Sequence, residues 1–192
     1  FKATILYNGA TWKGRTIASY VNGTDGWAAW KTDAKPEGRS TTGYYLRKLV
    51  DETHSFTSVQ ASTQPWTEIR YAEVLLIYAE AQNRADHGPN DLAYQCLNDV
   101  RKRANGGVAN DVPAGLDEEG FNQYVFDERG WELFAECKRW FQLVRTERVE
   151  EYNKLNPRIW DMGFVENQQR NYILPLPSSQ VEMCGWEQNP GY

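Results

Sequence analysis

At Trp66 the period of the sequence changes, and that change sets what the chain can fold into. Ile69, Ala72, Leu76 and Ala79 recur at helical spacing to about Arg84. Pro65 suits the first turn of such a helix, with Thr63 as its cap. Asp86-His87-Gly88-Pro89-Asn90 breaks it. A second helix starts near Asp91 with Ala93, Cys96, Leu97, Val100 and Ala104 on one face, and stops at the left-handed signal Asn105-Gly106-Gly107. Two helices and a turn of this size match one tetratricopeptide-like hairpin of about 34 to 40 residues. Ala72, Ala79, Ala81 and Ala93 let the two backbones approach closely. A third, long central helix is predicted from about 117 to about 150. Its stripe is Phe126, Leu133, Cys137, Trp140, Phe141 and Val144, widened by Trp131 and Phe134. On that reading Trp131 and Trp140 are core residues.

Before Trp66 no helical period appears. Residues 1–65 are rich in Gly, Thr, Ser and aromatics, with short strands expected over 3–7 and 44–50. Asn22-Gly23-Thr24-Asp25-Gly26 is a dense turn signal. The fold class is therefore mostly α, with a helical hairpin, a long central helix and extensive irregular loops. Two regions follow: a loop-rich, aromatic-rich segment over 1–65 that contacts ligand, and a helical region with a docked tail over 66–192. One hairpin does not stack alone, since solenoids need roughly three repeats for a continuous core. The start on Phe1, with no signal peptide, reads as the carboxy-terminal part of a longer protein.

Bulk properties remove several classes. The net charge is −5, whereas a nucleic-acid partner needs a basic footprint. No apolar run nears the roughly 18 residues of a membrane span. Cys96, Cys137 and Cys184 follow no metal spacing and read as buried small hydrophobes. His54 and His87 have no second ligand at metal spacing, and no phosphate-binding glycine loop precedes a helix. Neither a metal nor a cofactor is expected.

The end of the chain is tailored. Tyr172-Ile173-Leu174-Pro175-Leu176-Pro177 and the closing Gln188-Asn189-Pro190-Gly191-Tyr192 combine fixed-φ and permissive residues, as a docked terminus does. With this tail, three helical blocks resemble the SusD/RagB family of outer-membrane nutrient-binding lipoproteins. They are Arg70-Tyr71-Ala72-Glu73-Val74-Leu75-Leu76-Ile77-Tyr78-Ala79-Glu80-Ala81, Leu97-Asn98-Asp99-Val100-Arg101-Lys102-Arg103-Ala104, and Glu128-Arg129-Gly130-Trp131-Glu132-Leu133 continuing Glu136 to Arg145. Tyr44-Tyr45-Leu46-Arg47-Lys48 resembles the family more weakly, and little does before Gly43. The chain departs from the pattern at Gly130 (usually basic), Cys137 (usually glycine), Gln142 (often aspartate) and Cys184-Gly185 (often Asn-Pro).

The resemblance implies a SusD-like fold and cell-surface capture of glycan for a SusC-like TonB-dependent transporter. It also implies an outward-facing outer-membrane location, through a lipid anchor on sequence ahead of Phe1. Peptide or another nutrient is the alternative cargo. A carboxylate-based glycoside hydrolase is the alternative function, because Glu73 and Glu80 share one helical face and Glu128, Glu132 and Glu136 form an i, i+4, i+8 row. Carboxylates facing arginines on helices more often set packing, so no catalytic residue is assigned.

Among eight tryptophans and eleven tyrosines, Trp12, Trp27 and Trp30 lie where no apolar period explains them. An indole offers a flat, rigid face to the C–H face of a pyranose. Those three are the carbohydrate-binding candidates, with Asp25, Lys31, Asp33 and Arg39 as neighbouring partners for hydroxyls.

Overall fold

The computed structural model of the chain describes residues 1–26, 40, 42–53, 65–153 and 172–192. The chain divides into two compact units, Phe1–Glu68 and Ile69–Tyr192.

In the first unit β1 (Ile5–Leu6) pairs antiparallel with β4 (Tyr45–Leu46), in the register Ile5 to Leu46 and Leu6 to Tyr45. These strands fall within the expected segments 3–7 and 44–50. Between them β2 (Thr11–Trp12) and β3 (Arg15–Thr16) form a hairpin. Its two turn residues, Lys13 and Gly14, both have positive φ, 45° and 77°, as a tight hairpin twist requires. Leu6, Ala10 and Ile17 make a small core, edged by Tyr7, Trp12 and Tyr45.

In the second unit α1 (Tyr71–Ala85), α2 (Asp91–Ala104) and α3 (Glu118–Glu132) pack together, with α1 against both others. Leu76, Ala79, Ala93, Leu97, Phe121 and Val125 are wholly buried there. Ala79 and Ala93 sit in the hairpin core as expected, whereas Ala81 faces outward. Tyr94 meets Phe121 edge-on at 4.9 Å. Asn90 caps α2 by accepting the Ala93 N–H at 2.8 Å, and Asp117 caps α3 through Gly120. At the end of α2, Gly106 and Gly107 are left-handed, and the Gly107 N–H reaches back to the Lys102 carbonyl at 2.8 Å.

Two sequence expectations need correction here. The first helix begins at Tyr71 rather than near Trp66. Arg70 is extended and makes no side-chain cap, so the first turn starts after it; Thr63 lies outside the described residues. The long helix over 117–150 is instead three pieces: α3, α4 (Arg139–Arg145) and α5 (Val149–Asn153). Ala135, Cys137 and Glu147 are left-handed at φ 64°, 58° and 56°. No α-helix continues through such residues. Trp131, within α3, and Trp140 and Phe141, in α4, are 66%, 48% and 71% exposed. The two tryptophans are therefore not core residues in this unit. Cys96 is buried, but Cys137 and Cys184 are exposed, and all three are free thiols.

A satellite core of Phe126, Leu143 and Val149 lies below α3, joined by Val144 and Tyr172. The tail signals clasp one another after α6 (Ser178–Cys184). The Gln188 side chain accepts from Leu176 N–H at 2.7 Å and donates to its carbonyl at 2.9 Å. Asn189 donates to the Leu174 carbonyl and the Tyr192 hydroxyl to that of Ile173. These polar bonds hold the two tail segments to each other, while Trp186 and Tyr192 stay more than half exposed.

Candidate functional site

The first unit carries an aromatic groove of about 370 Å3, lined by Phe1, Tyr7, Tyr20 and Tyr44 together with Asn8, Ser19 and Thr42. The Phe1 ring lies 5.2 Å from Tyr7 and meets Tyr44 nearly edge-on at 6.0 Å. Phe1, Tyr20 and Tyr44 present more than half their surface to solvent. Asn8 accepts from the Ser19 N–H at 3.2 Å, and the Thr42 hydroxyl accepts from Tyr44 N–H at 3.3 Å. The polar groups are thus oriented by the backbone around them. Exposed ring faces beside a few fixed hydrogen-bonding groups are what a neutral, hydroxyl-rich ligand needs.

The turn over 22–26 holds one wall in place. Asp25 takes two hydrogen bonds from Arg15, at 2.7 and 2.8 Å, and one from Ala18 N–H at 2.9 Å. The Tyr45 hydroxyl donates to the Asp25 carbonyl at 2.5 Å. Gly26 is required for contact rather than for φ. A Cβ there would stand 1.8 Å from the Tyr20 carbonyl oxygen, and one on Gly23 would stand 2.2 Å from that of Ala18. Gly26→Ala is expected to destabilise the first unit by about 1–3 kcal/mol, the usual range for overpacking. A matching fall in the denaturant midpoint, seen through the tyrosine signal of this unit, checks it.

The carboxylates of the second unit are held by cations. Arg70 bridges α1 to the end of α3. Its Nη1 donates to Glu132 at 2.5 Å, its Nη2 to the Glu132 carbonyl at 2.6 Å, and its Nε and Nη2 to Glu136 at 2.9 and 2.8 Å. Arg103 also bonds Glu132. Arg101 meets Glu128 at 3.0 Å, and Lys138 lies 3.3 Å from Glu73. Arg145 holds both oxygens of Glu80 at 2.6 and 2.9 Å. Burial works against the Glu80 charge, but the Arg145 bonds and the nearby Arg84 and Arg129 win and hold its carboxyl below the usual range. Burial pushes Glu128 up despite Arg101. Its side chain is only 6% exposed, so this carboxyl sits against Arg101 inside the unit rather than at the mouth of a cleft. The i, i+4, i+8 row is thus an interhelical ion network, as the sequence suggests.

Of the three tryptophan candidates, Trp12 edges the small core, with the Arg47 guanidinium 5.9 Å from its ring. Trp27 and Trp30 lie outside the described residues, as do Lys31, Asp33, Arg39 and His54. His87 is on the turn after α1, 3.1 Å from Glu118. Among the described residues no acidic, histidine or cysteine group is arranged to hold a metal ion. No helix among them is long and apolar enough to cross a membrane. Sequence reasoning missed the tyrosine groove. Its signal was Tyr44, in a segment read as a strand and as a weaker family resemblance.

Comparison with known proteins places the whole of this chain in one group. The sequence profile of the SusD family matches residues 1–192. A SusD-like protein, P25, from Formosa agariphila is 42% identical over 115 residues, covering 59% of this chain and 21% of that protein. A second from the same organism, SusD-like protein P2, is 34% identical over 140 residues, covering 68% and 26%. The crystal structure of a SusD homolog from Bacteroides thetaiotaomicron superposes with a TM-score of 0.67 at 29% identity, covering all of this chain and 40% of that one. A SusD-like protein from Bacteroides fragilis gives 0.70 at 23% identity over 100% and 38%, a likeness of fold. The chain therefore spans about a quarter or less of the curated relatives.

Proposed function

Because this chain belongs to the SusD family, we propose that it is part of a cell-surface protein that captures glycan for polysaccharide utilisation. The observation that carries this reading is the aromatic groove of the first unit, with exposed Tyr20 and Tyr44 beside Asn8, Ser19 and Thr42. Ring faces release ordered water when a sugar covers them, and the amide and hydroxyls bond its hydroxyl groups. Trp12, Trp27 and Trp30 belong to the same unit and are proposed to extend that surface.

The captured oligosaccharide passes to a SusC-like TonB-dependent transporter, and a lipid anchor holds the whole protein outward on the outer membrane. No bond in the glycan is broken. The cations that hold Glu73, Glu80, Glu128, Glu132 and Glu136 support binding over hydrolysis, because carboxylates bonded to Arg or Lys inside a helical unit serve packing. The test is a binding screen of this chain against glycans and peptides side by side, with release of reducing ends followed on every hit. Saturable binding of a glycan without new reducing ends supports the proposal. Binding confined to peptides, or hydrolysis abolished by Glu132→Gln, contradicts it.

A further inference from the structure

One polar group in the wall of the aromatic groove is almost buried and yet unbonded. Ser19 lines the groove although the residue is only 8% exposed. Its backbone N–H is committed, donating to the Asn8 Oδ1 at 3.2 Å. Its side-chain hydroxyl has no hydrogen-bond partner among the described residues. A hydroxyl that deep is ordinarily bonded, because an unmade bond costs most where water reaches poorly.

Asn8 is in the matching state. Its Oδ1 accepts from Ser19, which fixes the amide beside that hydroxyl, while its Nδ2 donates to no described group. Thr42 differs, since its hydroxyl is already 2.9 Å from that of Ser40 and accepts the Tyr44 N–H. A glycine keeps the space beside Ser19 clear. Gly43 has a φ of 76°, and a Cβ built on it would stand 3.1 Å from the Ser19 carbonyl oxygen and 3.4 Å from the hydroxyl. A larger residue there would be strained in its backbone and would crowd the unbonded Oγ.

We propose that Ser19 and Asn8 are the specificity-determining residues of the groove and recognise one free hydroxyl of a bound sugar unit. This rests on the glycan reading of the same groove. The sugar hydroxyl accepts from Asn8 Nδ2 and donates to Ser19 Oγ, completing both groups. The substrate class is a glycan whose unit at this point keeps that hydroxyl. A deoxy sugar leaves both protein groups unpaired, which is how a hydrogen-bonding site rejects an analogue.

The test is calorimetry with cellohexaose, maltohexaose, mannohexaose and xylohexaose, on wild type, Ser19→Ala, Asn8→Ala and Tyr44→Ala. Monodeoxy derivatives of the best-bound glycan follow. Wild type should lose about fivefold in affinity at one deoxy position, the fold-change of a single neutral hydrogen bond. Ser19→Ala should bind the parent glycan about fivefold more weakly and make no distinction at that position, which a merely structural serine would not produce. Its melting temperature should not fall, because the fold loses no bond of that hydroxyl. Asn8→Ala, at an exposed residue, should lose a similar factor. If Tyr44→Ala is weakened but Ser19→Ala binds like wild type, the assignment is overturned and glycan capture stands. The same holds if wild type ignores every deoxy change, or if Ser19→Ala melts early and still discriminates. Binding indifferent to Tyr44→Ala, or no binding of any hexasaccharide, overturns both readings.

Discussion

Arg70→Ala is expected to destabilise the second unit by about 3–5 kcal/mol, the range for removing one partner of a buried ion pair. Glu132 and Glu136 are 7% and 4% exposed at their side chains, and both take charge-assisted bonds from this one guanidinium. Without it, Glu136 keeps its burial but loses three of those bonds, and the Glu132 carbonyl loses its Nη2 donor. Arg70→Lys should recover only part of the loss, since an ammonium is a point charge and cannot fork across two carboxylates and a carbonyl. Urea unfolding followed by helical circular dichroism measures both variants. A loss below about 1 kcal/mol, the ceiling typical of exposed pairs, would mean that the network is surface decoration.

Phe121→Ala is expected to cost about 3–5 kcal/mol, through lost transfer energy and the cavity left against Tyr94. The ring is wholly buried, at the centre of the contact among α1, α2 and α3. Trp140 makes the control. It is the larger residue but 48% exposed, so Trp140→Ala should cost about 1 kcal/mol or less in this chain, in proportion to the area it buries. Thermal unfolding of the two variants side by side ranks them. If Trp140→Ala is the more damaging, the break after α3 is wrongly placed and the tryptophan belongs to a core.

The helical hairpin was legible because its evidence is local and redundant. An apolar stripe, the break at 86–90 and the Gly106-Gly107 stop all point to the same turn and end of the second helix. The breaks within 117–150 were not legible from the stripe. Apolar spacing continues through 133–147, and nothing in that pattern reports a positive φ. The missed signal was Cys137, which the resemblance set against an expected glycine; its φ of 58° is a conformation that glycine adopts without strain. The start of α1 was misplaced because Arg70 is held by a tertiary ion network, which no window of local sequence contains.

The candidate site was legible only by composition. Excess aromatics before Trp66 indicated a ring surface, and tryptophans drew attention as the largest rings. The described groove is built instead from tyrosines brought together by the β1–β4 pairing and the glycine-dependent turn. Those contacts join residues 1–8 to residues 42–46, a separation that periodicity cannot read. The family match also extends over the first 42 residues, where motif resemblance was weak.

The central claim is that this chain holds glycan on the Tyr20–Tyr44 groove. Its most direct measurement is calorimetric affinity of wild type and Tyr44→Ala for a glycan identified in the screen, with the melting temperature of each recorded alongside. Tyr44 is 55% exposed, so truncation should leave the melting temperature nearly unchanged. It should lower affinity by about 1–3 kcal/mol, by analogy with aromatic platforms that stack bases. Unaltered affinity in a variant that melts like wild type would contradict the account and place the glycan elsewhere on the chain.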